Sequence, residues 1–284
     1  MMNHVGDSHT TQYLRKLGVT VVPPRTSPFD PGYDPVTLEA HLEQSAHRMA
    51  TLKLSMACWI VADEAVTRRK IAAARRHGVP TVAGGGPFEV AVAQHRLPDY
   101  LDLCADIGFT RIECGQGFTT IAIDATSIVK MARDHGLDVQ FELGSKHGGA
   151  FNADVVDTLT DQGRRWLDAG ASELVIEARE SAQAVGLFDA QGRFNAQLAD
   201  RLAQALGLER MVFETPTKAS QFALLDYFGQ DVRLCNVRLE ELLRVEIYRL
   251  GLHADSFSKA NLRPAAPDPA LEHTRADQLP VSAP

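Results

Sequence analysis

Eight times between residues 19 and 236 a short β-branched or apolar run is followed by a segment of helical character, and this alternation constrains the fold most. The runs are Val19–Val22, Thr51–Ala57, Val79–Ala83, Thr110–Cys114, Leu137–Glu142, Glu173–Ala178, Arg210–Glu214 and Val232–Asn236. Between them, "DEAVTRRKIAAARRHG" (63–78) spaces its apolar residues for one helix face and ends in His-Gly. "DATSIVKMARDHG" (124–136) and "DVVDTLTDQGRRWLDAG" (154–170) open on Asp, which accepts bonds from free N–H groups at a helix start. Both close on Gly, which allows a left-handed cap.

Eight strand–helix units predict a (β/α)₈ TIM barrel, a fold that uses about 250 residues as one domain. An open doubly wound sheet is the runner-up, but no strand is followed by GxGxxG or a Walker loop, and "AGGGPFE" (83–89) lacks the spacing of either. Ten of the fourteen prolines fall in two stretches. One predicts a Pro-rich loop at 23–35 within a barrel covering 1–258; the other marks 259–284 as a Pro/Ala-rich disordered tail.

Charge and composition narrow the function. The net charge is −7 with no basic run, which argues against a nucleic-acid partner. No apolar run approaches the roughly 18–20 residues that span a bilayer. The N-terminus lacks an apolar signal region, so a cytoplasmic chain without membrane contact is expected. Four cysteines, Cys58, Cys104, Cys114 and Cys235, lie far apart and without a CxxC pair, which predicts buried free thiols.

In a barrel the reactive groups sit at the C-terminal ends of strands and in the loops that follow. Those positions carry Lys53, Glu89, Glu113, Glu142 with Lys146, Glu177 with Arg179 and Glu180, Glu214 with Lys218, and Asn236. Buried carboxylates on successive strands require cations, supplied either by these lysines and arginines or by Mg²⁺, which favours hard oxygen ligands. An internal salt-bridge network that only rigidifies the barrel is the bland alternative. His147 follows its strand by several residues and reads as a solvated loop residue.

Two stretches then resemble a known family. Glu177-Ala178-Arg179-Glu180-Ser181-Ala182 with Gly186-Leu187-Phe188-Asp189, and Phe213-Glu214-Thr215-Pro216-Thr217-Lys218 with Gln221, are similar to the E-G-R-E-S-G, G-I/L-F/Y-D and F-E-A-P-x-K-x-Q-Q motifs of the phosphosulfolactate synthase family. The likeness extends to Gly84-Gly85, Phe88-Glu89, Ile112-Glu113, Glu142-Leu143-Gly144, Asn236, Glu246, Arg249 and "GLHADSF", covering roughly residues 50–257. The resemblance implies a (β/α)₈ barrel and a Mg²⁺-dependent, lyase-type addition of sulfite to phosphoenolpyruvate, giving phosphosulfolactate. It implies a small anionic substrate, with Glu142, Glu177 and Glu113 as metal candidates. Lys146 becomes the candidate acid, working at a near-neutral pKa, with Lys53 a second catalytic lysine. Arg179, Lys218, Ser181 and Asn236 are the substrate-binding candidates. Monomer and homo-oligomer both stay open.

The chain also departs from the family. Its expected first strand, Thr20-Val21-Val22, lacks the Asp of T-x-V-x-D-x-G, and Asp30 and Gly32 follow only after several prolines. K-F-G-W-G-T-S becomes Lys53-Leu54-Ser55-Met56-Ala57-Cys58-Trp59, a bulkier and more apolar wall. Gln116 replaces an Asp and Ser145 the first lysine of G-K-K. These changes leave two alternatives: a barrel enzyme of the same lineage acting on another nucleophile or another enolizable acid, or a non-catalytic, stress-related relative.

Overall fold

The computed structural model describes residues 8–119 and 121–262. Eight parallel strands close in sequence order into a barrel: β1 Thr26–Asp30, β2 Leu52–Leu54, β3 Thr81–Ala83, β4 Arg111–Gly115, β5 Asp138–Leu143, β6 Glu173–Ile176, β7 Met211–Glu214 and β8 Leu234–Arg238. Helices lie between them, so the fold is the expected (β/α)₈ TIM barrel. The main core fills the layer between sheet and helices, where Leu52, Leu54, Ile112, Phe141, Leu174 and Phe213 meet the apolar faces of the helices. Val175, Val212 and Cys235 form a separate small cluster.

The helix ends follow the expected chemistry. Asp63 caps Glu64–Arg76 by accepting from Val66 N, and Asp124 caps Ala125–Asp134 by accepting from Ser127 N. Ala153–Ala169 is capped by Asn152 rather than by Asp154, and it ends on left-handed Gly170. Cys104, Cys114 and Cys235 are buried, Cys58 is half-buried, and all four are free thiols. No described helix is long and apolar enough to cross a membrane.

Two boundaries differ from expectation. The first strand is not Val19–Val22 but Thr26–Asp30, inside the stretch read as a Pro-rich loop. Pro28 sits in that strand, where a proline removes a ladder donor; the sheet accommodates it with a register shift between Ser27 and Pro28 against β8. Thr26, Asp30 and Gly32 thereby take the positions of T, D and G in the family's first-strand pattern, so the missing Asp is present after all. Its work is structural: fully buried Asp30 accepts from Gly32 N at 2.7 Å, Tyr33 N at 2.6 Å and Lys70 Nζ at 2.8 Å. At the other end the chain stays packed beyond 258. Leu262 is buried, and its carbonyl accepts from Gln230 Nε2 at 2.7 Å. The remainder of the expected tail, 263–284, lies outside the described residues.

Ion pairs close the base and the seam of the barrel. Glu173, at the start of β6, pairs with Arg111 and Arg233. Where β1 meets β8, Thr26 Oγ1 donates to Glu246 at 2.7 Å. Fully buried Arg249 then bonds Glu246, Thr26 Oγ1 and the carbonyls of Gln230 and Val232. The opposite end is left for the site.

Candidate active site

At the C-terminal end of the strands a cavity of about 540 Å³ is lined by Lys53, Glu89, Glu113, Glu142, Lys146, Glu177, Arg179, Glu214, Asn236 and Arg238, with Phe29, Met56, Phe118 and Pro216 among its apolar walls. Period-two alternation along each strand explains the arrangement. Glu113 lies two residues beyond Arg111 and Glu142 two beyond Gln140, so one strand face carries polar groups up the barrel interior. Glycines let the strand ends come close. A Cβ on Gly84 would sit 2.7 Å from Met56 N, and one on Gly186 would sit 2.0 Å from the Glu177 carbonyl.

Each buried carboxylate has its own set of partners. Glu89 accepts from the N–H groups of Gly117, Phe118 and Thr119 at 2.9–3.1 Å, so it anchors the loop after β4. Glu113 takes Lys53 Nζ at 2.7 Å, Gly85 N at 3.1 Å and Gln140 Nε2 at 2.8 Å. Both of its oxygens thus have protein partners, one of them the Lys53 ammonium. Lys146 Nζ bridges Glu142 at 3.0 Å and Glu177 at 2.9 Å. Glu214 accepts from Ala178 N at 2.9 Å and Arg179 N at 3.1 Å, takes the Asn236 amide, and lies 3.7 Å from Lys53 Nζ.

Five carboxylates thus face the buried Lys53 and half-buried Lys146 ammoniums, and the imbalance shows in their protonation. Burial pushes the Glu142 carboxyl well above the usual range, with the charges of Glu113 and Glu177 adding to it. Burial likewise raises Glu214 to about 8. Burial would also raise Glu177, but the Lys146 ammonium outweighs it and holds that carboxylate at about 2. For both lysines burial acts downward and loses to the neighbouring carboxylates: Glu142 and Glu177 keep Lys146 above its ordinary value, and Glu113 and Glu214 do the same for Lys53. With no metal bound, the neighbouring carboxylates thus favour the charged form of Lys146.

A pH dependence follows from Glu142. A carboxyl raised in the folded state keeps a proton that the unfolded chain has released, so its contribution to stability declines as pH rises through the folded value. Glu142→Gln lacks that titration. In metal-free buffer its melting temperature should exceed the parent's near pH 8, and the gap should close toward about pH 5. A gap that does not change with pH would refute the assignment.

The other sequence candidates separate into two groups. Asn236 and Arg179 line the cavity, both at a left-handed φ of 55°. The Arg179 side chain has no ion pair among the described residues. Ser181 and Lys218 do not line it: Ser181 is exposed in the loop after β6, and the Lys218 ammonium lies 5.1 Å from the centroid of the Phe222 ring. His147 is exposed, as expected. Arg238 was not among the candidates. It lies two residues past Asn236 on β8 and faces the cavity, and extending the strand reading by one more alternation would have found it.

The residues fit a Mg²⁺ ion in one specific way. Among the described residues no three acidic, imidazole or thiol groups converge as a ready cage. Yet Glu142 and Glu177 share a single ammonium in a cavity short of positive charge, and Mg²⁺ commonly uses one or two carboxylates with substrate oxygens and water.

Comparison with known proteins identifies the chain's relatives. The sequence profile of the family described as (2R)-phospho-3-sulfolactate synthase (ComA) matches residues 9–255. The chain is 30% identical over 243 residues to the phosphosulfolactate synthase of Methanocaldococcus jannaschii, covering 85% of this chain and 94% of that one. It is 28% identical over 249 residues to the phosphosulfolactate synthase of Methanothermobacter thermautotrophicus, covering 87% and 94%. Among solved structures, 3-hexulose-6-phosphate synthase from Salmonella typhimurium superposes with a TM-score of 0.51 at 12% identity, covering 81% of this chain and all of that one; this likeness concerns the fold alone.

Proposed function

The chain belongs to the phosphosulfolactate synthase family and is an enzyme of lyase type that forms phosphosulfolactate; we propose that it does so by Mg²⁺-dependent addition of sulfite to C3 of phosphoenolpyruvate. The observation that carries this reading is the Glu142–Lys146–Glu177 bridge, set in a cavity whose rim holds Arg179 and Arg238.

The sulfur lone pair of sulfite attacks C3, and the π electrons of the C2–C3 bond move toward the carboxylate. An aci-anion results, and one proton at C2 completes the product. Mg²⁺ held by Glu142 and Glu177 would supply positive charge to that developing carboxylate dianion. Lys146 is the proton donor: it is charged, half-buried, and carried on the loop directly after β5. Arg179 and Arg238 suit the phosphate and carboxylate, since a guanidinium offers paired donors to such oxygens. Lys53 stays locked between Glu113 and Glu214, where it sets the field without transferring a proton.

A second reading, the same addition with a nucleophile larger than sulfite, draws on one observation. A side cavity of about 230 Å³ adjoins Glu142 and is lined in part by Gln116 and Ser145, the two positions where the family pattern has Asp and Lys. One assay separates the readings. With phosphoenolpyruvate, sulfite and Mg²⁺, the enol absorbance should fall, and EDTA should stop the fall. No change with sulfite, together with consumption when a thiol or another soft nucleophile is supplied, favours the second. No consumption under either condition would overturn the assignment to phosphoenolpyruvate.

A further inference from the structure

We propose that Glu214 is the positioning residue of this site: from β7 it holds both left-handed residues beside it, Arg179 at the end of β6 and Asn236 on β8, in the conformations that present them to substrate. The inference rests on the reading that Arg179 binds an anionic group of the substrate.

The geometry is specific. Non-glycine residues rarely adopt positive φ, and those that do at a functional site need surroundings that over-determine them. Arg179 and Asn236 both have φ of 55°, and they flank β7 from its two sides. One oxygen of Glu214 accepts the consecutive N–H groups of Ala178 and Arg179, at 2.9 and 3.1 Å. The other accepts the Asn236 side-chain amide. The buried Asn236 Oδ1 has no partner, so Glu214 is the only hydrogen-bond partner of that side chain among the described residues. Glu177 adds a bond to the Arg179 N–H at 2.6 Å, but its other oxygen goes to Lys146 rather than to Asn236. Only Glu214 joins the two turns to each other, and Lys53 Nζ lies 3.7 Å from it across the barrel.

Glu214 therefore acts through Arg179 and Asn236. Glu214→Met tests this, because it keeps the length of the side chain and removes both acceptors. Neither the 178–179 N–H pair nor the Asn236 amide then has its Glu214 partner. Hydrogen–deuterium exchange of the full-length protein should quicken about tenfold at the Ala178 and Arg179 amides of the variant, with the rest of the barrel unchanged. KM for phosphoenolpyruvate should rise roughly tenfold with a smaller change in kcat. Arg179→Ala should raise KM as well, and adding Glu214→Met to an Arg179→Ala, Asn236→Ala background should raise it no further.

Each other outcome decides something. Unchanged exchange at 178–179 overturns the proposal whatever KM does. Faster exchange with an unchanged KM, while Arg179→Ala raises it, also overturns it, as does a further rise when Glu214→Met is added to Arg179→Ala, Asn236→Ala. If Arg179→Ala leaves KM unchanged, the reading of Arg179 as a substrate ligand fails, while faster exchange in Glu214→Met still upholds the grip of Glu214 on the loop.

Discussion

Lys146→Met should lower kcat for phosphosulfolactate formation by roughly 10²- to 10⁴-fold, the range associated with a general acid. The barrel should remain folded, since Lys146 is part-exposed and lies beyond the end of β5. Loss of its charge will also disturb Glu142 and Glu177, so a companion variant is needed. Lys146→Arg keeps a cation that can bridge the two carboxylates, but a guanidinium does not release its proton near neutral pH. It should recover the thermal stability of the parent and little of the rate. A Lys146→Arg enzyme with near-parental kcat would show that Lys146 supplies charge only, and that the proton at C2 comes from elsewhere.

The largest stability effect is expected far from the cavity. Lys70→Met strips buried Asp30 of its only cation within 4 Å among the described residues, leaving two backbone N–H groups to hold a carboxylate at zero exposure. Removing one member of a buried pair costs about 3–5 kcal/mol, which in a barrel of this size lowers the melting temperature by on the order of 10 °C. Because neither residue lines the cavity, KM and kcat at low temperature should hold. Asp30→Asn combined with Lys70→Met removes the stranded charge and should recover most of the loss. A single-variant penalty under about 1 kcal/mol would mean that the two N–H bonds alone satisfy Asp30.

Residue pattern made most of this architecture legible. From Leu52 onward the strands fall within or close to the apolar runs, because parallel strands covered on their outer face by helices need such runs. The first strand was obscured by Pro28, which depresses any strand reading and is tolerated only through the local register shift. That one shift also hid Asp30 from the family pattern. Within the site, chain position was enough to bring Glu142, Lys146, Glu177 and Asn236 together, since each stands at or just after a strand end. Direction beyond that end was not readable. Lys218 begins a helix and turns toward Phe222, whereas Arg238 extends its strand and faces the cavity. Nor does sequence show which oxygen is already taken. Glu113 and Glu142 occupy similar positions, yet the fold gives the former Lys53, Gly85 and Gln140 as partners and the latter Lys146.

The Thr26–Glu246–Arg249 cluster at the seam sets when the enzyme can first exist during its own synthesis. It ties the first strand to the last described helix, Leu242–Arg249, across more than 200 residues of chain. The candidate site itself spans that seam, taking Lys53 from β2, Glu214 from β7 and Asn236 from β8. A nascent chain released only as far as the loop after β6 has Glu142 and Glu177 but neither Glu214 nor Asn236. The cavity residues are therefore not all present until β8 has emerged, and the seam closes only with the segment ending at Arg249.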